Sequence, residues 1–169
     1  WNYPLAMANN LLNPALVAGN TVIWKPSEET PLIAQALFEL IHEKFPEGVF
    51  QIVHGDGKQG RALVDSDVQM VAFTGSQKVG KEIMKRSVTS LKRMVMELGG
   101  NDPMIVMPDA DIQSAVRFAV AGSFENSGQM CTSVERIYEH ESVTNEVNQE
   151  VAKYALTARK KSWNLDGVN

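Results

Sequence analysis

Apolar and polar positions along this chain change period in a regular alternation. Residues 21–25 (Thr-Val-Ile-Trp-Lys) form a short run rich in β-branched and aromatic side chains after an Ala18-Gly19-Asn20 turn, and predict a buried strand. The period then changes. Leu32, Ala36, Leu37, Leu40 and Ile41 recur at helical spacing, with Thr30 as the N-cap candidate and Pro31 in the first helical position, until Phe45-Pro46-Glu47-Gly48 stops the pattern. The same switch repeats: strands are predicted over 49–53, 70–74 and 93–97, with helices over 59–64 and 76–87. After Gly99-Gly100 come strands over 104–107 and 134–138, a helix over 111–126, and a helix carrying Val147, Val151, Tyr154 and Ala155. Such alternation favours a parallel sheet with helices on its faces, so the expected fold class is α/β with a boundary near residue 99. Asn148 stands where the register of the last helix calls for an apolar residue, and residues 159–169 read as a polar, irregular end.

Composition narrows the function classes. A chain of 169 residues with 44% apolar and 21% charged side chains is that of a soluble globular protein with a proper core. No apolar stretch reaches the roughly 20 residues of a membrane-spanning helix, and the start lacks a signal-peptide pattern; no membrane association and a cytoplasmic setting are expected. The net charge of −4 argues against nucleic acid, and Lys85, Arg86, Lys92 and Arg93 read as a solvated face. His42, His54 and His140 lack metal-ligand spacing, so no metal site is expected. A start at Trp1, directly on a motif, predicts an internal piece of a longer polypeptide.

The single cysteine changes the picture. Cys131 follows Asn126-Ser127-Gly128-Gln129-Met130, just beyond an apolar helical run. A lone cysteine is commonly a small buried hydrophobe. Here Gly128 permits a sharp turn, and a backbone amide beside the sulfur can serve an oxyanion, as thiolate chemistry requires. Glu97 ends an apolar strand before Leu98-Gly99-Gly100. It reads either as a sheet-edge ion-pair partner or as a general base in a partly desolvated crevice. Asn2 reads as a turn residue before Pro4, or as a neutral donor to an alkoxide. Phe73-Thr74-Gly75-Ser76, followed by Gly80, puts a glycine turn and a hydroxyl at a helix start, suited to phosphate or to plain N-capping. Lys25 and Glu28 form either a solvated ion pair or a ribose-binding strand end. Gly55 and Gly57 serve the turn after the strand over 49–53.

Taken in order, Trp1-Asn2-Tyr3-Pro4, Trp24-Lys25-Pro26-Ser27-Glu28, Phe73-Thr74-Gly75-Ser76, Glu97-Leu98-Gly99-Gly100-Asn101 and Gly128-Gln129-Met130-Cys131 resemble the motif set of the NAD(P)-dependent aldehyde dehydrogenase superfamily over residues 1–143. The resemblance implies a Rossmann-like parallel sheet with flanking helices, residues 1–98 being the C-terminal half of the NAD-binding domain. Residues 99–169 are then the N-terminal part of the catalytic domain. It implies oxidation of a small-molecule aldehyde to a carboxylic acid: Cys131 attacks the carbonyl, Asn2 and the Cys131 amide hold the oxyanion, and Glu97 activates the water that hydrolyses the thioester. Lys25 and Glu28 are implied at the adenosine ribose, Gly75, Ser76 and Gly80 near the pyrophosphate, and Leu98 near the nicotinamide. Because an anionic Glu28 repels a 2′-phosphate, NAD is expected rather than NADP. A homodimer or homotetramer is implied for the full-length protein.

Past Val143 the resemblance weakens, and residues 160–169 depart from the family's usual continuation. Two rival readings stay open. One is a CoA-acylating relative, in which the thioester passes to coenzyme A; the other is a non-catalytic protein that keeps the fold. The segment alone is expected to be inactive and poorly soluble, because missing strands leave sheet edges and apolar faces exposed.

Overall fold

A computed structural model describes residues 1–162. They divide into two compact units between Leu98 and Gly99.

The first unit opens with a helix that the apolar pattern does not announce. Helix α1 (Pro4–Val17) starts with proline in its first turn and runs through Pro14, which has no N–H to give the preceding turn. Asn9, Asn10, Asn13 and Pro14 dilute its periodicity. Its end is well defined, since Gly19 takes φ +80° and the amides of Gly19 and Asn20 bond back to the carbonyls of Leu16 and Ala15 at 3.0 and 3.1 Å. This is a Schellman closure, and it delivers the chain into β1 (Val22–Trp24). Helix α2 (Pro31–Ile41) begins after Thr30, whose side chain makes no capping bond, and leads to β2 (Phe50–Ile52), parallel to β1 with Val22 opposite Phe50. Phe50 is buried, with the rings of Phe38, Phe45 and Trp24 at 5.2, 6.2 and 6.3 Å. This aromatic group locks α2 against the strand pair.

Helix α3 (Gly57–Asp65) carries a full capping box: the Lys58 amide donates to Asp56 Oδ1 at 2.7 Å, and the Asp56 amide to Gln59 Oε1 at 3.1 Å. Strand β3 (Met70–Gly75), helix α4 (Gln77–Ser87) and strand β4 (Arg93–Leu98) complete the unit, with β3 and β4 parallel. The basic cluster is more than a solvated face. Arg86 pairs with Asp65 at 2.8 Å, and Lys92 Nζ donates to the carbonyls of Ser66 and Val68, fastening the approach to β3.

In the second unit, β5 (Asp102–Val106) and β6 (Val134–Glu139) are parallel, joined through α5 (Ile112–Phe124) and followed by α6 (Thr144–Ser162). Val106, Val143 and Val147 form its core, backed by Met104, Ile112, Ile137 and Val151. The stripe 143, 147, 151 is the inward face of α6, which resolves the apparent conflict at Asn148: that side chain is exposed and bonds Glu139 at 3.3 Å. Residues 159–162 continue α6 instead of fraying, and 163–169 lie outside the described residues. Asp111 caps α5, accepting from the Ser114 amide at 3.1 Å and the Ser114 hydroxyl at 3.0 Å.

The α/β class with parallel strands and flanking helices stands. Among the described residues the strands form three parallel pairs, β1–β2, β3–β4 and β5–β6. Parallel strands are normally covered on both faces, yet Ile23, Met70, Ile105 and Tyr138 are exposed.

Two outcomes follow from this packing. Phe50→Ala empties the centre of the aromatic group and should cost about 3–5 kcal/mol, read as a lowered denaturant midpoint. The Ser114 amide and hydroxyl hold the Asp111 carboxyl below its ordinary value of 3.8, against a smaller opposing effect of burial. Its folded-state affinity for protons is thus the weaker one, so its stabilisation is complete above 3.8 and fades as pH falls through the lower folded value. Asp111→Asn should remove that part of the acid-side slope in urea midpoints taken between about pH 2 and 6.

Candidate active site

The register of β3 and β4 gathers several of the expected residues. Thr74 lies opposite Glu97 and Gly75 opposite Leu98, so both strands end side by side where α4 begins. Ser76 takes the N-cap position of α4, its hydroxyl accepting from the Val79 amide at 3.3 Å. Gly80 is buried one turn on, and a Cβ there would come within 2.9 Å of Leu98 Cδ2. Glycine at this position lets helix and strand approach closely, and Leu98 fills the space a side chain would occupy. Leu98, Gly75, Ser76 and Gly80 are thereby brought together at one strand end, beside the amides of an eleven-residue helix.

Lys25 follows β1 and reaches across to the end of β2. Its ammonium donates to the carbonyls of Pro26 at 2.7 Å and Gly55 at 2.9 Å, and sits 3.5 Å from Glu28 Oε2. Its stem lies over Gly60, the nearest approach for a Cβ there being 3.6 Å. Glu28 is more than half exposed, so its carboxylate faces water beside this cation. Gly55 adopts φ +146°, and a Cβ would run into the Gln59 carboxamide that closes the α3 capping box.

The remaining candidates are spread along the chain. Asn2 is half-buried, its Oδ1 accepting from the Tyr3 amide at 3.2 Å just ahead of α1. Glu97 is exposed near the end of β4, without burial that would make the crevice expected of it. Asn2 and Glu97 belong to the first unit and Cys131 to the second.

Cys131 is exposed, in the connection from α5 to β6. After α5 the chain passes through a 3-10 turn in which Asn126, Ser127 and Gly128 have φ of 49°, 60° and 74°. Three successive left-handed residues reverse its direction, and a Cβ on Gly128 would stand 3.0 Å from the Ser123 carbonyl. Buried Ser133 follows, its hydroxyl bonding the Gly122 carbonyl, while the Ser123 hydroxyl bonds the Val134 carbonyl.

Sequence reasoning passed over these two serines, and also Arg136. The Arg136 guanidinium donates to the Asn101 carbonyl from Nε at 3.1 Å and from an Nη, ties to Tyr138 Oη at 3.2 Å, and so binds the start of β5 to β6. The available signal was positional: short hydroxyls on either side of a helix-to-strand corner, and a cation on the alternate face of a strand. A cavity of about 370 Å³ lined by Asp65, Ser66, Arg86, Thr89, Ser90 and Lys92 contains none of the expected residues. It lies where the chain enters β3 and β4, the end opposite Gly75 and Leu98. Among the described residues no group of three or more His, Cys, Asp or Glu could hold a metal ion, and no helix is long and apolar enough to cross a membrane.

Comparison with known proteins carries these observations further. The sequence pattern of the Aldehyde dehydrogenase family matches residues 1–164, past Val143, where the motif resemblance alone weakened. The chain is 44% identical to "Aldehyde dehydrogenase, mitochondrial" of Leishmania tarentolae, over 100% of its own length and 35% of that protein's. Its fold is similar to an NADP-dependent enzyme of E. coli (TM-score 0.86, 38% identity, 91% of this chain and 33% of that one). It is equally similar to PnpE in complex with nicotinamide adenine dinucleotide (TM-score 0.86, 40% identity, 92% and 32%). The chain thus spans about a third of the length of the relatives it matches. With a match over nearly its whole length and the motif residues disposed at strand and helix ends, this chain belongs to the aldehyde dehydrogenase family.

Proposed function

We propose that this chain takes part in the oxidation of an aldehyde to a carboxylic acid, with Cys131 as the nucleophile. The observation that carries the reading is an exposed thiol, the sole cysteine of the chain, just after a left-handed turn in a member of this family. Residues 1–98 then serve as the C-terminal half of a dinucleotide-binding domain and 99–169 as the N-terminal part of a catalytic domain. The exposed apolar side chains of the strand pairs support a role within a larger protein, and the segment alone is inactive on this reading. The setting proposed is cytoplasmic, to be checked against the mitochondrial name of one relative by cell fractionation. Assembly as a homodimer or homotetramer belongs to the same proposal.

In the mechanism, Cys131 Sγ adds to the aldehyde carbon. The carbonyl π pair moves onto oxygen, where the Asn2 carboxamide and the Cys131 amide donate to it. The oxygen pair then re-forms the carbonyl, now a thioester, as the hydride leaves that carbon, and a bound nicotinamide dinucleotide would supply the hydride's acceptor. The cluster of Gly75, Ser76, Gly80 and Leu98 at one strand end fits such a group, with the α4 amides suited to its phosphates and Lys25 and Glu28 to its ribose. Water deprotonated by Glu97 attacks the thioester carbon, the C–S bond breaks, and the acid leaves with the Cys131 thiolate restored. Transfer of the acyl group to coenzyme A is the rival outcome, and product analysis with and without CoA separates the two.

In the native protein carrying this chain, Cys131→Ser should abolish aldehyde oxidation. Glu97→Gln should lower turnover by about 10²–10⁴. Asn2→Ala should cost about 10²–10³ in kcat. Retained steady-state activity in Cys131→Ser overturns the reading. For the cofactor, the anionic Glu28 beside Lys25 predicts a higher kcat/KM with NAD than with NADP. Glu28→Gln should narrow that ratio, and a native preference for NADP would count against the role of Glu28.

A further inference from the structure

We propose that Ser123 and Ser133 are positioning residues for the Cys131 thiol, an inference that rests on the reading of Cys131 as the nucleophile. The two hydroxyls form a reciprocal stitch. Ser133 Oγ donates to the carbonyl of Gly122 at 3.1 Å, and Ser123 Oγ donates to the carbonyl of Val134 at 2.9 Å. Each serine therefore bonds the chain neighbour of the other, and together they close the base of the loop that holds Cys131.

Three observations give the stitch its importance. First, the end of α5 and the start of β6 are so close that a Cβ on Gly122 would lie 2.8 Å from Val134 Cγ2. Only that approach brings short hydroxyls within reach of the opposite carbonyls. Second, three bonds within the loop are local, each joining residues three apart: the Gln129 amide to the Asn126 carbonyl at 3.2 Å, the Ser133 amide to the Met130 carbonyl at 3.3 Å, and the Asn126 carboxamide to the Gln129 carbonyl at 3.5 Å, whereas the serine pair ties the loop's two ends to each other. Third, Asn126 and Ser127 are not glycine yet hold positive φ, a conformation that persists only where its surroundings over-determine it.

The base of the loop supplies that constraint. Ser133 is buried, so its bond is shielded from competing water. It is also only two residues beyond the sulfur, so any slack at Ser133 is passed to Cys131. Losing either bond lets the thiol sample orientations from which attack on the carbonyl is unproductive, while the groups that recognise substrate and cofactor elsewhere are untouched. Turnover should therefore fall with little change in KM.

The test uses the native protein with Ser123→Ala, Ser133→Ala, the double variant, Cys131→Ser, and Val147→Ala as a stability control taken from the core of the same unit. Expected for each serine variant is a kcat about tenfold to a hundredfold lower, a KM within about twofold, and faster hydrogen exchange at the amides of residues 129–132. The double variant should be little worse than either single one, since both bonds act as one device. Val147→Ala should lower Tm at least as far and leave kcat unchanged. If kcat in the serine variants merely tracks Tm, or stays unchanged while Cys131→Ser is inactive, the positioning role is wrong and the nucleophile stands. If Cys131→Ser remains active, the nucleophile reading itself falls. Should Ser133→Ala not fold, half-buried Ser123→Ala carries the same comparison.

Discussion

Parallel pairing of β3 with β4 is the constraint on which the candidate cofactor residues depend. Parallel neighbours cannot be joined by a tight turn, so a helix must carry the chain back, and α4 does so between them. One consequence is directional: both strands finish at the same end, where the returning helix begins. Residue-by-residue register then puts Gly75 beside Leu98 and Thr74 beside Glu97. Slippage by one position would turn Leu98 away from Gly80 and remove the filling of that glycine's missing side chain.

The second unit applies the same rule with a different result. Its crossover helix α5 ends in a left-handed reversal before β6, and the thiol lies in the connection just past that reversal. There the proposed nucleophile sits ahead of a strand, whereas Gly75 and Leu98 end strands and Lys25 and Ser76 follow them. The Arg136 bridge to Asn101 and the paired serines act at that entering end of the strand pair.

Much of this was legible in the residues. Turn glycines, β-branched runs and the Thr30-Pro31 start marked the alternation, because each reports a local backbone preference that the fold respects. Helix α1 was not legible: three asparagines and Pro14 hide its period, and the signals that define it, Pro4 at the start and Gly19 at the end, lie at its termini. Nor was the division into strand pairs, since pairing partners are chosen by tertiary contacts that a local pattern does not encode. At the candidate site, motif order nominated the residues, while their exposure was not readable from it. Glu97 ends an apolar run, which suggested a crevice, yet its own side faces water. The serine stitch was invisible for a related reason, as it joins residues whose only sequence mark is a short hydroxyl.

Lys25 carries a last consequence. An ammonium has three protons, and here three oxygens already receive them: two main-chain carbonyls and Glu28. A sugar hydroxyl arriving at this cation therefore trades places with an existing acceptor instead of adding a bond. The longest contact, that to Glu28, is the one most easily surrendered. On the proposed ribose-binding role of Lys25 and Glu28, its release would turn the carboxylate loose as an acceptor for the same sugar, and recognition there would work as an exchange of partners, close to neutral in energy and strict in geometry.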